Sequence, residues 1–202
     1  MQFIEMFGLL KMGLEVLALV ITFFAFLISY KGYSVTKRPV FARLSFAFIF
    51  ISTNFLLQFF SDVFNLLEYS NISYYFSIFS SFFEMLGFFF IAFSHMIRVH
   101  HEHRLFFPPL VIINPVIAFK TLSLYFIFYA ILESIISYTK MKSKTIILTV
   151  LGLIGFSLNI LLSWISEFTV YPIILQVFAL VFQAFGVIAF FVPIWIYYSS
   201  VR

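Results

Sequence analysis

Long apolar runs separated by short polar clusters set the pattern of this chain. Runs at about 7–30, 44–66, 74–97, 121–139, 145–166 and 171–198 each approach or exceed the roughly 20 apolar residues that cross a bilayer as a helix. A seventh run, LFFPPLVIINPVIAF at 105–119, is short and is interrupted by Pro108, Pro109 and Pro115. In lipid the backbone must satisfy its own hydrogen bonds, and runs of this length suit helices rather than the short alternating strands of a barrel. The pattern predicts an all-α fold: a polytopic transmembrane helical bundle.

The short run decides the topology. If it crosses, Lys31, Lys37, Arg38, Arg43, Arg98, Arg104, Lys140, Lys142, Lys144 and Arg202 fall on one side, which is ten of the 12 basic residues. Glu5, Asp62, Glu68 and Glu167 then fall on the other. Basic loops stay in the cytoplasm, so the expectation is seven spans in a 3-1-3 order, with the N-terminus outside and the C-terminus in the cytoplasm. Fifteen helical residues reach only about 22 Å against a hydrocarbon core of about 30 Å. Six spans plus a re-entrant segment is the alternative.

Three short matches suggest an internal repeat. Ser29-Tyr30 pairs with Ser137-Tyr138, each pair followed by a basic loop. Ser52-Thr53-Asn54-Phe55-Leu56-Leu57 pairs with Ser157-Leu158-Asn159-Ile160-Leu161-Leu162. Phe83-Glu84-Met85-Leu86-Gly87 pairs with Phe182-Gln183-Ala184-Phe185-Gly186. The expected organisation is a single transmembrane domain made of a three-helix unit at 7–99, a Pro-broken linker at 105–119 and a second three-helix unit at 121–198. If the linker crosses, the two units are parallel repeats; if not, they are inverted.

Composition narrows the function. The chain is 63% hydrophobic and 10% charged, whereas soluble domains carry about 25% charged residues. No polar stretch has room for a soluble domain. Cysteine is absent, which excludes disulfides, thiolate catalysis and Cys-ligated metals. The net charge of +4 sits in short loops, so it reports orientation rather than nucleic-acid binding. No cofactor is implied. Expected partners are the lipid bilayer and other membrane protein subunits, with no nucleic acid.

Candidate chemistry centres on Glu84, the one charge between Tyr74 and Ile97. A carboxyl at mid-bilayer is a functional candidate by default. At 100° per residue Ser77, Ser80, Glu84 and His95 share one helix face, and Asn54, Gln58, Gln183 and Ser80 are the expected polar company of Glu84. Asn54 with Gln58, Asn159 with Ser163, and Gln176 with Gln183 form further polar faces that can hold helices together. Lys11 and Glu15 are four apart and can pair. Glu133 is a second carboxyl within a span. His100, His101 and His103 lack the i, i+4 spacing of helical metal ligands and read as a solvated cluster. Asp62, the only Asp, is placed on the opposite side from the histidines, which disfavours a Ser-His-Asp arrangement.

The order of small helical units, with a basic turn after each first helix and a polar residue midway along each second, resembles uncharacterised archaeal multi-spanning proteins. It is also similar to the membrane modules of sensor kinases without their catalytic domains. The 3-1-3 layout is like that of SWEET-type sugar transporters, whose Pro-Gln signature this chain lacks. Tiny loops and the lack of a convergent catalytic set favour a non-enzymatic accessory or scaffold subunit of a membrane complex, or a membrane-embedded sensory module. The alternative is a small secondary transporter or proton-coupled carrier that uses Glu84 and the repeat interface.

Overall fold

The computed structural model describes residues 2–96, 114–169 and 172–200. These residues form six α-helices and no strand: α1 (Gln2–Thr36), α2 (Pro39–Leu66), α3 (Ser70–Met96), α4 (Pro115–Met141), α5 (Lys144–Ser166) and α6 (Pro172–Ser200). Each contains a stretch of between 21 and 29 residues that is long and apolar enough to cross a membrane. Large apolar side chains such as Val20, Phe24, Phe46, Phe79, Phe128, Leu132, Val181 and Ile188 point away from the bundle. In water such a surface would be untenable, and in lipid it needs no cover. The chain is a multi-pass membrane protein.

Seven crossings are expected from the sequence, and the described residues supply six. Residues 105–113 of the short run, together with His100, His101 and His103, lie outside the described residues. The end of that run is not a separate linker. Asn114 accepts a hydrogen bond from the Val116 backbone N–H at 2.9 Å, and Pro115 takes the first helical position. Proline is suited to that place because the N–H it lacks would have no intrahelical partner there. Residues 115–119 therefore open α4, and the helix runs through Lys120 without a break. Pro39 likewise begins α2 instead of only ending the loop before it.

The helices pack in chain order, α1 on α2 through to α5 on α6, and α6 closes on α1. The result is a ring of six. Directions follow from the contacts. Asn54 meets Ser80 and Ser61 meets Ser73, so α2 and α3 are antiparallel. Gly152 abuts Phe190 and Gly155 abuts Gly186, so α5 and α6 are antiparallel. The α3–α4 pair differs: Phe82 contacts Phe119 and Phe89 contacts Phe126, both ring pairs advancing by seven residues. These two helices are parallel. So are α6 and α1, since Lys11 and Gln176 line one cavity while Thr22 and Val187 line another farther along both helices.

The bundle consequently has two unlike ends. One carries Lys11, Asp62, Glu68, Lys120 and Glu167, at the starts of α1 and α4 and the finishes of α2 and α5. The other carries Lys31, Lys37, Arg38, Arg43, Lys142 and Lys144. Toward this basic end the ring is filled. Phe48 meets Phe190, Phe88 meets Phe156, and Phe156 meets Phe190, with centroid separations of 5.6, 5.6 and 6.3 Å. Ile51, Ile91, Ile127 and Leu153 are almost wholly buried around them. A space of only about 10 Å³ remains among these side chains, too small to hold more than about one water.

Candidate functional site

Away from the basic end the ring is not filled. A cavity of about 170 Å³ opens there and penetrates to the middle of the bundle. Its wall is formed by Asn54, Gln58, Ser61 and Asp62 from α2, Ser77, Ser80, Ser81 and Glu84 from α3, and Asn159, Ser163, Ser166 and nearby Glu167 at the end of α5. Gln176 and Gln183 from α6 complete it, with Lys11 and Lys120 from α1 and α4. From Asp62 to Asn54 is eight residues of α2, a depth of about 12 Å.

Spacing along the helices produces this wall. On α2, positions 54, 58, 61 and 62 follow an i, i+4, i+7, i+8 pattern, which is one helix face. On α3 positions 77, 80, 81 and 84 follow an i, i+3, i+4, i+7 pattern, again one face. Both faces turn inward, while Phe46, Phe60 and Phe79 on the opposite faces point out.

The floor is an amide and hydroxyl layer. Ser80 Oγ donates to Asn54 Oδ1 at 2.6 Å, and both residues are buried. Gln183 is buried beside them. Glu84 lies on the cavity wall at about the midpoint of α3, and Lys120 is the charged group that acts on it electrostatically. Every residue expected from the sequence as polar company for Glu84, namely Asn54, Gln58, Gln183 and Ser80, lines the same cavity, and Asn159 joins them. Ser77 belongs to the seam as expected; the side chain of His95 is outside the described residues. Glu133 is placed elsewhere, buried in α4 toward the basic end, where it accepts from Tyr129 Oη at 3.2 Å.

Two ion pairs stand at the mouth. Lys11 Nζ is 2.8 Å from Asp62 Oδ1 and 2.7 Å from Oδ2. Lys120 Nζ is 3.7 Å from Glu167 Oε1. Sequence reasoning paired Lys11 with Glu15, and the Lys11 Nζ to Glu15 Oε1 distance is 3.7 Å. It missed the tighter partner, Asp62, which lies 51 residues away, and it singled out neither Lys120 nor Glu167 as site residues. The available signal was one lone cation near the start of a span in each half of the chain. Among the described residues no group of three or more His, Asp or Glu could hold a metal ion.

No protein-family model, curated protein or solved structure matches the chain.

Proposed function

We propose that the protein is a small membrane carrier and that the cavity is its binding site for a small hydrophilic solute, in the state open to the non-cytoplasmic side. One observation carries this reading: a polar cavity reaches the middle of the helix bundle and is stopped there by packed aromatic side chains. A subunit held together by polar contacts would bring its amides against one another. Here amides and hydroxyls from four helices instead face open space. The scaffold or sensory role expected from the sequence rested on tiny loops, few mid-membrane charges and the lack of a convergent catalytic set; the open polar cavity favours the carrier alternative.

The lining indicates the solute class. The volume, about 170 Å³, is close to that of a cavity able to hold a benzene-sized molecule. Lys11 is matched by Asp62 and Lys120 by Glu167, so no spare cation is left to hold an anionic solute. Five amides and six serine hydroxyls offer donors and acceptors. A neutral or zwitterionic solute rich in hydrogen-bonding groups fits, such as a small amide, polyol or amino acid.

The carrier reading includes two parallel three-helix units, α1–α3 and α4–α6. The wall supports it. Asn54, Gln58, Ser61 and Asp62 correspond at a constant offset of 105 to Asn159, Ser163, Ser166 and Glu167, and all eight line the cavity. Ser77, Ser80, Ser81 and Glu84 correspond at an offset of 99 to Gln176, Ala179, Leu180 and Gln183, and all eight line it too. Gly87 lies over the Ala47 carbonyl and Gly186 over that of Gly152, positions related by the same two offsets. Lys37 ends α1 and Lys142 ends α4, each with left-handed φ and each donating its N–H at 2.8 Å to a tyrosine carbonyl, Tyr33 and Tyr138. The helix ends thus equate Tyr138 with Tyr33 rather than with Tyr30.

Parallel units also support a seventh crossing. α3 ends at the basic end and α4 starts at the cavity end, so the chain between Met96 and Asn114 has to return from one to the other. The basic end is cytoplasmic in this reading, which puts the N-terminus outside and the C-terminus inside. Reporter fusions before Met1 and after Arg202 should report opposite sides. Termini on one side would remove both the seventh crossing and the parallel arrangement.

The absence of native cysteine makes the cavity testable. Ser77→Cys and Ser163→Cys should react with a membrane-impermeant thiol reagent added outside, and Ser134→Cys, buried toward the basic end of α4, should not. In proteoliposomes a panel of small amides, polyols and amino acids should include a solute that exchanges across the membrane and protects both cysteines. Labelling only from the cytoplasmic side, or no exchange with any of the panel, would defeat the proposal.

A further inference from the structure

The two mouths are not chemically equivalent. In the second unit Lys120 pairs with Glu167, half-exposed at the mouth, and its other acid, Glu84, is on the open cavity wall. In the first unit Lys11 faces two carboxylates. Its ammonium lies 2.7 Å from Asp62 and 3.7 Å from Glu15. Asp62 is on the cavity wall, but Glu15 is not, with none of its side chain exposed and no hydrogen-bond partner for either carboxylate oxygen. At the offset of 105 its counterpart in the second unit is Lys120, a cation.

Among the described residues nothing else restores the balance. α1 packs against α2 and α6. From α2 the facing charged group is Asp62 itself, since Arg43 is at the other end of that helix. α6 contains no Asp, Glu, Lys, Arg or His. Across the cavity stand Glu84 on α3, which adds a further acid, and Lys120 on α4, which is engaged by Glu167. Two carboxylates and one ammonium would leave one negative charge buried in the bundle, the arrangement low-dielectric interiors tolerate least. A metal cation would have to sit beside the Lys11 ammonium, which is already 2.7 Å from Asp62 and 3.7 Å from Glu15. A proton would not: it forms an O–H bond to one carboxylate and neutralises the triad.

We propose that Lys11, Glu15 and Asp62 form a binding site for one exchangeable proton, reached from the cavity through Asp62. Resting on the carrier reading, this proton is the ion that accompanies the solute: it is taken from water on the cavity side and returned to water on the basic side, with no net chemistry on the protein. The acids of the triad are all in the first unit, so one half of the ring holds the proton and both halves hold the solute.

Infrared difference spectra of the full-length protein in lipid, between acidic and alkaline buffer, test the site directly. Wild type should show a buried protonated-carboxyl component. Glu15→Gln and Asp62→Asn should each remove that same component, because either leaves Lys11 with one carboxylate, and the double variant should remove no more. Lys11→Met should add a second component, an outcome independent of whether Glu15→Gln folds normally. Wild-type spectra from both single variants, or loss of the component in Glu84→Gln instead, would overturn the proposal. Solute exchange in the same proteoliposomes separates the two ideas. Exchange whose dependence on a pH gradient survives Glu15→Gln sinks the proton's role while leaving the carrier intact. The expected spectra without exchange of any solute sink the carrier while leaving the proton site intact.

Discussion

Gly155→Ala should destabilise the protein by about 1–3 kcal/mol, although alanine is the better helix former. A methyl at this position would lie 2.8 Å from Gly186 Cα, 2.9 Å from Gly186 N and 3.0 Å from the Phe182 carbonyl oxygen. All three atoms are backbone, so no rotamer change relieves the contact and α5 and α6 must move apart. Alanine's helix preference offsets only about 0.5–1 kcal/mol of this. A methyl added at Gly152 would likewise lie 2.8 Å from Phe190 N on the same seam, so opening it at Gly155 loosens packing along much of the interface. In lipid such close approach is a main source of helix association. Gly13→Ala is the internal control. Nothing lies within 4 Å of its added methyl, and it should be neutral or slightly stabilising. Reversible unfolding of both variants in mixed detergent measures the difference. Equal stability would mean that α5 and α6 do not pack at this distance.

That seam shows what the sequence conveys and where it falls short. Gly152 and Gly155 are spaced three apart, outside the usual small-xxx-small pattern, yet both face α6 because Gly186 supplies the complementary gap from the other helix. A pairing of this kind is invisible on one helix alone. The spans themselves are legible, since a bilayer imposes length and apolarity on every crossing. The floor of the cavity is legible too: i, i+3, i+4 and i+7 spacing of polar residues puts Asn54, Gln58, Ser80 and Glu84 on inward faces whatever the arrangement of neighbours. The mouth is not. Lys11 and Asp62 are far apart in sequence, and Lys120 follows a run whose prolines suggest a linker up to Phe119. Capping by Asn114 with Pro115 at the first helical turn turns the end of that run into helix, and this places Lys120 inside the ring. Local pattern fixes faces; which ends come together depends on the direction of α4, which the described residues reveal only through paired contacts such as Phe82 with Phe119 and Phe89 with Phe126.

Phe156→Ala should open the closed half of the bundle. This ring is nearly buried and touches Phe88 from α3 and Phe190 from α6, which in turn reaches Phe48 from α2. It also borders the small void that lies among Thr22, Ile51, Ile91 and Val187. Rings from α3 and α6 therefore pack directly on this side chain and one from α2 packs on it through Phe190, just beyond the polar floor, where the adjoining Ile160 lines the cavity itself. In water-soluble cores a Phe→Ala change costs about 3–5 kcal/mol. Lipid tails are as apolar as the core, so the transfer part of that cost largely vanishes, and what remains is the lost dispersion and the cavity, about 2 kcal/mol. The functional effect should be larger than the stability effect. Removing the ring joins the void to the polar cavity and gives water a route toward the basic end. In a Thr22→Cys background, Phe156→Ala should turn an unreactive thiol into one labelled from outside, and proteoliposomes carrying it should leak small solutes without saturation. Phe156→Leu retains most of the volume and should stay sealed. A Thr22→Cys thiol that remains unreactive with alanine at 156 would show that the aromatic cluster is not what closes the cavity, and a thiol already reactive in the Phe156 parent would show that the cavity is not closed there at all.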